Sequence, residues 1–105
     1  MNIDQYQVDA LKTAVFPQSK AVEYLSMGMA GEAGEVLNKL KKRVRGDSEF
    51  ASDAEVAKEL GDVLWYVAVL ANKMGYNLSK VASMNLDKLR SRKDQQTIKG
   101  TGDYR

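Results

Sequence analysis

The chain has 105 residues, 44% hydrophobic and 29% charged, which supports one small globular domain over 1–105 with only a modest core of its own. Its net charge of +2, from 16 basic and 14 acidic residues, is too balanced to argue for binding a nucleic-acid polymer. There are no cysteines and no histidines, which excludes disulfides, thiolate and imidazole metal sites, and Ser-His-Asp catalysis. Any metal must therefore sit among oxygen ligands, which suits Mg²⁺, Mn²⁺ or Ca²⁺. No apolar run approaches the length of a membrane span and no signal peptide is recognisable, so a cytoplasmic protein without a membrane partner is expected.

In chain order, a first helix is expected from Ile3 or Asp4 to Thr13, with Tyr6, Ala10 and Thr13 on one face. Phe16-Pro17-Gln18-Ser19 reads as a turn in which Ser19 caps the next helix. That helix spans Lys20 to Val44, where Leu25, Met29, Ala33, Val36, Leu37, Leu40 and Val44 recur at helical spacing. Arg45-Gly46-Asp47 ends it, and Ser52-Asp53-Ala54-Glu55 is a capping-box pattern that opens a third helix. Val56, Leu60, Val63, Leu64, Val67, Leu70, Ala71 and Met74 form the third stripe, with Trp65 and Val69 opposite, so this helix is expected to be buried between neighbours, another subunit included. Gly75-Tyr76-Asn77 breaks it, and a fourth helix runs from Leu78 to Arg92 or Lys93, with 94–105 a flexible tail. The fold class is all-α, a four-helix bundle completed by oligomerisation.

Carboxylates stand out on two of these helices. Glu32 and Glu35 on the second, and Glu59 and Asp62 on the third, are each spaced i, i+3 and so project from one flank. Antiparallel packing of the two helices would bring both pairs to one edge, where a cation relieves their repulsion. Ordinary surface ion pairs, such as Glu35 with Lys39, explain the same spacing. Lys39 and Lys42 continue the flank, and Asn85, Lys88 and Arg92 share a face of the fourth helix. These groups suit phosphate and ribose oxygens, or simply a solvated surface. Gly28, Gly31, Gly34 and Gly61 lie inside helical segments at about 1 kcal/mol each relative to alanine, which points to close helix approach or a functional constraint.

Gly31-Glu-Ala-Gly-Glu35-Val, Glu59-Leu-Gly-Asp62-Val-Leu-Trp-Tyr and Asn85-Leu-Asp-Lys88-Leu-Arg-Ser-Arg92 together resemble the MazG-like nucleoside triphosphate pyrophosphohydrolases. The resemblance extends to Tyr6-Gln7, Lys41-Lys42 and the closing Gly-Asp-Tyr-Arg, and so covers nearly the whole chain. It implies Mg²⁺-dependent hydrolysis between the α and β phosphates, with Mn²⁺ a possible substitute, in a homodimer or dimer of dimers. Glu32, Glu35, Glu59 and Asp62 match the metal ligands; Lys88 and Arg92 match phosphate-contacting residues, and Asn85 belongs to the same motif. The stricter motif begins with two adjacent glutamates, and Gly31 stands at the first, which reads as a subfamily trait. The proton acceptor is accordingly Glu32 or Glu35, with Lys39, Lys42, Lys88 or Arg92 stabilising the leaving pyrophosphate. Trp65, Tyr66, Phe16 or Tyr24 stack on the base, or else belong to the core. Two other readings share these residues: a nucleotide-binding or regulatory module without turnover, and a structural dimerisation module.

Overall fold

The computed structural model describes residues 1–47, 49 and 51–95. It contains four α-helices, α1 (Ile3–Leu11), α2 (Ala21–Arg45), α3 (Asp53–Lys73) and α4 (Leu78–Asp94), with a short 3-10 turn (Gln18–Lys20) before α2 and no strand among the described residues. The all-α fold expected from the sequence is the one observed. The α2–α3 hairpin is its centre; α1 lies against α3 and α4, and α4 meets α3 only lightly. The radius of gyration is 16.3 Å, well above the roughly 13 Å of a close-packed domain of this length, so the arrangement is open.

Helix ends follow local chemistry. Gly46 and Gly75 take left-handed φ angles of 98° and 86° and turn the chain after α2 and α3, a conformation that costs a side-chain-bearing residue. The Ser52 hydroxyl accepts the Glu55 N–H at 3.2 Å and opens α3. Glu55 does not complete the capping box, because its carboxylate is drawn to Lys58 and Lys39 instead. Ser19 is not the cap of α2: it lies within the 3-10 turn, and the residue preceding α2, Lys20, makes no side-chain cap. α1 stops at Leu11 rather than Thr13, since the chain tightens into three-residue turns and the Thr13 hydroxyl bonds back to the Ala10 carbonyl at 2.7 Å. At the other end, Asp94 is still helical, and 96–105, where most of the expected tail falls, lie outside the described residues.

A small apolar cluster of Ala10, Ala21, Leu25 and Val69 forms the core, rimmed by Tyr6, Leu11, Phe16, Trp65, Tyr66 and Leu70. The α3 stripe divides: Ala71 is buried and Leu70 packs on the core. Val69 and Trp65 face the core, whereas Leu60 and Leu64 of the long apolar stripe are exposed. The α2 stripe also divides. Leu25 is fully buried, but Leu37 is 68% and Val44 90% exposed, because α2 meets α3 along Gly28, Glu32 and Lys39 rather than along its apolar second half.

Candidate functional site

α2 and α3 pack antiparallel in a single register. Gly28 lies against Tyr66, Glu32 beside Asp62, the Lys39 ammonium 3.7 Å from the Glu55 carboxylate, and Arg43 Nε 2.6 Å from the Ala51 carbonyl. Each step up α2 is matched by an equal step down α3. The seam therefore runs from an apolar end at Leu25 and Val69, through carboxylates, to a basic end at Lys39 and Arg43.

In the middle of that seam, carboxylate oxygens of Glu32, Glu59 and Asp62 lie within 4.8 Å of one another. No other group of three or more such side chains occurs among the described residues. Glu35, the fourth expected ligand, does not join them. It follows Glu32 by three residues, about 60° round the helix, and its side chain is exposed. Burial holds the Glu32 carboxyl above the usual carboxylate range, and the charges of Asp62, Glu59 and Glu35 add to the shift. The phenols of Tyr6 and Tyr66 are likewise raised, first by burial; the charge of Asp62 acts on both, and Tyr24 and Glu32 also act on Tyr66.

The expected phosphate-binding residues are spread more widely. Lys39 is paired with Glu55 across the hairpin, not with Glu35 on its own helix, while Lys42 is half-buried. Asn85 and Lys88 line an open groove of about 580 Å³ between α3 and α4, whose other walls include Met29, Val67, Leu70 and Met84. Arg92, near the end of α4, is only 6% exposed. The four aromatic residues expected either as a base platform or as core pack on one another in pairs. Phe16 stacks on Tyr24 at 5.6 Å, and Trp65 meets Tyr66 edge-on at 4.9 Å, with its indole N–H donating to Thr13 at 2.8 Å. Of the interior glycines, only Gly28 marks a close helix approach; a Cβ on Gly31, Gly34 or Gly61 would meet open space. Tyr6, on whose phenol the charge of Asp62 acts, lies near the cluster, and its place on the α1 face with Ala10 does not by itself point to the site.

Residues 20–97 match the family profile of the MazG nucleotide pyrophosphohydrolase domain. The chain belongs to the MazG family. The matched span includes both acidic helices and all of α4, and leaves α1 outside it. This MazG chain is 43% identical, over 114 aligned residues, to the gene 37 protein of Mycobacterium phage L5, with the whole of both chains covered. No solved structure matches it. None of its described helices is long and apolar enough to cross a membrane.

Proposed function

We propose that this MazG chain hydrolyses (deoxy)nucleoside triphosphates between the α and β phosphates, releasing a nucleoside monophosphate and pyrophosphate. The observation that carries the reading is the convergence of Glu32, Glu59 and Asp62 in the interhelical seam of a member of this family. The donors are all carboxylate oxygens in a chain without histidine or cysteine, which suits Mg²⁺, with Mn²⁺ as substitute. Two oxygens on one Mg²⁺, each at about 2.0–2.1 Å, lie no more than about 4.2 Å apart. A group already within 4.8 Å needs only side-chain adjustment to reach that geometry.

What Mg²⁺ supplies when bound is neutralisation of triphosphate charge and a more acidic water. Glu32 or Glu35 takes the proton of the water that attacks the α-phosphorus. Lys42, Lys88 and Arg92 hold phosphate oxygens, and Asn85 holds a ribose or phosphate oxygen. Lys39 joins them by exchanging Glu55 for phosphate. Positioning and charge suffice for in-line displacement, so the lack of a side-chain nucleophile is no obstacle. The active form in this reading is a homodimer or a dimer of dimers of 1–105. Support comes from the exposed seam of Ala33, Leu37, Leu40 and Val44 on α2 and from Leu60 and Leu64 on α3. A cytoplasmic location fits a chain without cysteine.

The test is product analysis over a panel of NTPs and dNTPs with Mg²⁺. Monophosphate and pyrophosphate are expected, with turnover lowered more than about 100-fold in Glu35→Ala and Asp62→Ala, since even groups that merely orient metal ligands cost 10–100-fold. Orthophosphate as product overturns the reading. Binding without turnover favours the nucleotide-binding module, to which Gly31, in place of a glutamate, gives some weight.

A further inference from the structure

We infer that the contact between Gly28 and Tyr66 sets the width of the α2–α3 seam at the carboxylates, making both of them positioning residues for the metal site. A Cβ built on Gly28 would lie 2.1 Å from Tyr66 Cε1, 2.4 Å from Cζ and 2.8 Å from Cδ1. Non-bonded carbons rest at about 3.5–4.0 Å, so the ring already occupies the volume a side chain at 28 would need. Tyr66 lies against the bare backbone of α2.

The ring has little room to retreat. Trp65 packs against it in a T-shaped contact with ring centroids 4.9 Å apart, and Trp65 is itself tied to Thr13. A methyl group at 28 would therefore push the helices apart rather than tip the ring.

Position then turns a packing contact into a functional one. Glu32 is one helical turn beyond Gly28 on α2, and Asp62 is one turn before Tyr66 on α3. The contact sits directly beside the carboxylate level and on the same pair of helices. Glu32 and its α3 partners are within 4.8 Å, only slightly above the largest separation one Mg²⁺ allows between ligands. An opening of the seam by an ångström widens the gap that side-chain adjustment has to close. The three glycines with open space around them have no such effect, which distinguishes Gly28 from Gly31, Gly34 and Gly61.

The inference rests on the reading of Glu32, Glu59 and Asp62 as metal ligands, and the experiment separates the two. Mn²⁺ binding to the full chain is titrated by electron paramagnetic resonance, well below the melting temperature of every variant. Failure of the wild type to bind Mn²⁺ overturns the ligand reading itself, and this inference with it. Where the wild type binds, Gly28→Ala is expected to lose at least tenfold in affinity. Tyr66→Phe, which keeps the ring, is expected to bind as the wild type does. In a Tyr66→Ala background, adding Gly28→Ala is expected to cost nothing further. Leu25→Ala, which weakens the core away from the carboxylates, serves as the control and should lower melting temperature without lowering affinity. A folded Gly28→Ala with unchanged affinity, or an equal loss with and without the Tyr66 ring, overturns the positioning role. If Gly28→Ala does not fold, Tyr66→Trp thickens the same contact from the other helix; a tenfold loss there supports the inference and unchanged binding overturns it.

Discussion

The side-chain oxygen of Gln7, on α1, accepts the backbone N–H of Leu78, the first residue of α4, at 3.0 Å. The amide nitrogen of the same side chain donates to the carbonyls of Ala68 at 2.9 Å and Tyr76 at 3.1 Å. Gln7 is buried, so one glutamine joins α1, the end of α3 and the start of α4 with little of its own surface open to water. Removing it leaves buried polar groups without partners, each worth about 1–3 kcal/mol. Gln7→Leu is expected to lower stability by about 2–3 kcal/mol in chemical denaturation. Gln7→Glu should be worse, because a carboxylate cannot donate to either carbonyl.

Asp4 completes the same junction. Its carboxylate accepts the Ser79 N–H at 2.8 Å and the Ser79 hydroxyl at 2.6 Å, capping α4 in place of Asn77, which makes no side-chain cap. The hydroxyl bond first, then the backbone bond, hold the Asp4 carboxyl below its ordinary value of 3.8. A group with a depressed folded-state pKa stabilises fully above its unfolded value and ceases to do so as pH falls through the folded one. Asp4→Ala is therefore expected to melt below the wild type at pH 7. The difference should narrow below pH 3.8 and vanish once the folded-state carboxyl is protonated, as thermal melts across pH 2–7 would reveal.

How much of this was legible depends on whether the deciding contact is local. The helix ends at Gly46 and Gly75 and the Ser52 cap are written in neighbouring residues, and they were readable. So were the i, i+3 pairs Glu32 with Glu35 and Glu59 with Asp62, which need only an antiparallel hairpin to meet, although Glu35 stands outside the cluster that the other three form. What stayed hidden is which face of each helix meets which neighbour. The apolar residues of α2 and α3 outnumber those the chain itself buries, so periodicity could not tell the Leu25 side from the Leu37 side. The role of Gln7, which enters the sequence reading only through the resemblance, is hidden for the same reason: its three partners lie more than sixty residues away. In sequence Gly28 is like the other interior glycines, and only the fold places Tyr66 against it.

The acidic seam makes a prediction about metal-free protein. Glu32 is partly buried among like charges, which favours its protonated form in the fold. Replacing it by a neutral isostere relieves that repulsion, so Glu32→Gln should melt above the wild type in EDTA. Mg²⁺ at about 100 times its Kd should stabilise the wild type by about 2.7 kcal/mol, or roughly 10 °C or more for a domain of this size. The same addition should leave Glu32→Gln nearly unmoved. A wild type indifferent to Mg²⁺ would remove the metal site from the argument.

Lys39 has two prospective partners, and kinetics can tell them apart. It bridges to Glu55 with the two side chains 21% and 41% exposed, so a double-mutant cycle should give a coupling of about 0.2–1 kcal/mol. If the lysine also meets substrate phosphate, Lys39→Met should raise KM and lower kcat/KM, whereas Glu55→Gln should not, since it frees the ammonium. Equal kinetic effects from both substitutions would assign Lys39 to the hairpin alone.

The exposed side of the hairpin leads to the last expectation. Ala33, Leu37, Leu40 and Val44 repeat at alternating spacings of four and three on α2, which is the pattern of a helix seam, yet all four are exposed. Leu60 and Leu64, one turn apart on α3, are exposed as well, at 54% and 39%. Covering such residues is worth about 25 cal/mol per Å² of apolar surface, which a chain with a four-residue buried cluster needs more than most. Light scattering should therefore find a species of at least two chains, with a melting temperature that rises with protein concentration. Leu37→Glu together with Leu40→Glu should shift it toward monomer and reduce turnover in parallel, if residues from two copies complete each site. A monomeric wild type with full activity would show that one hairpin suffices.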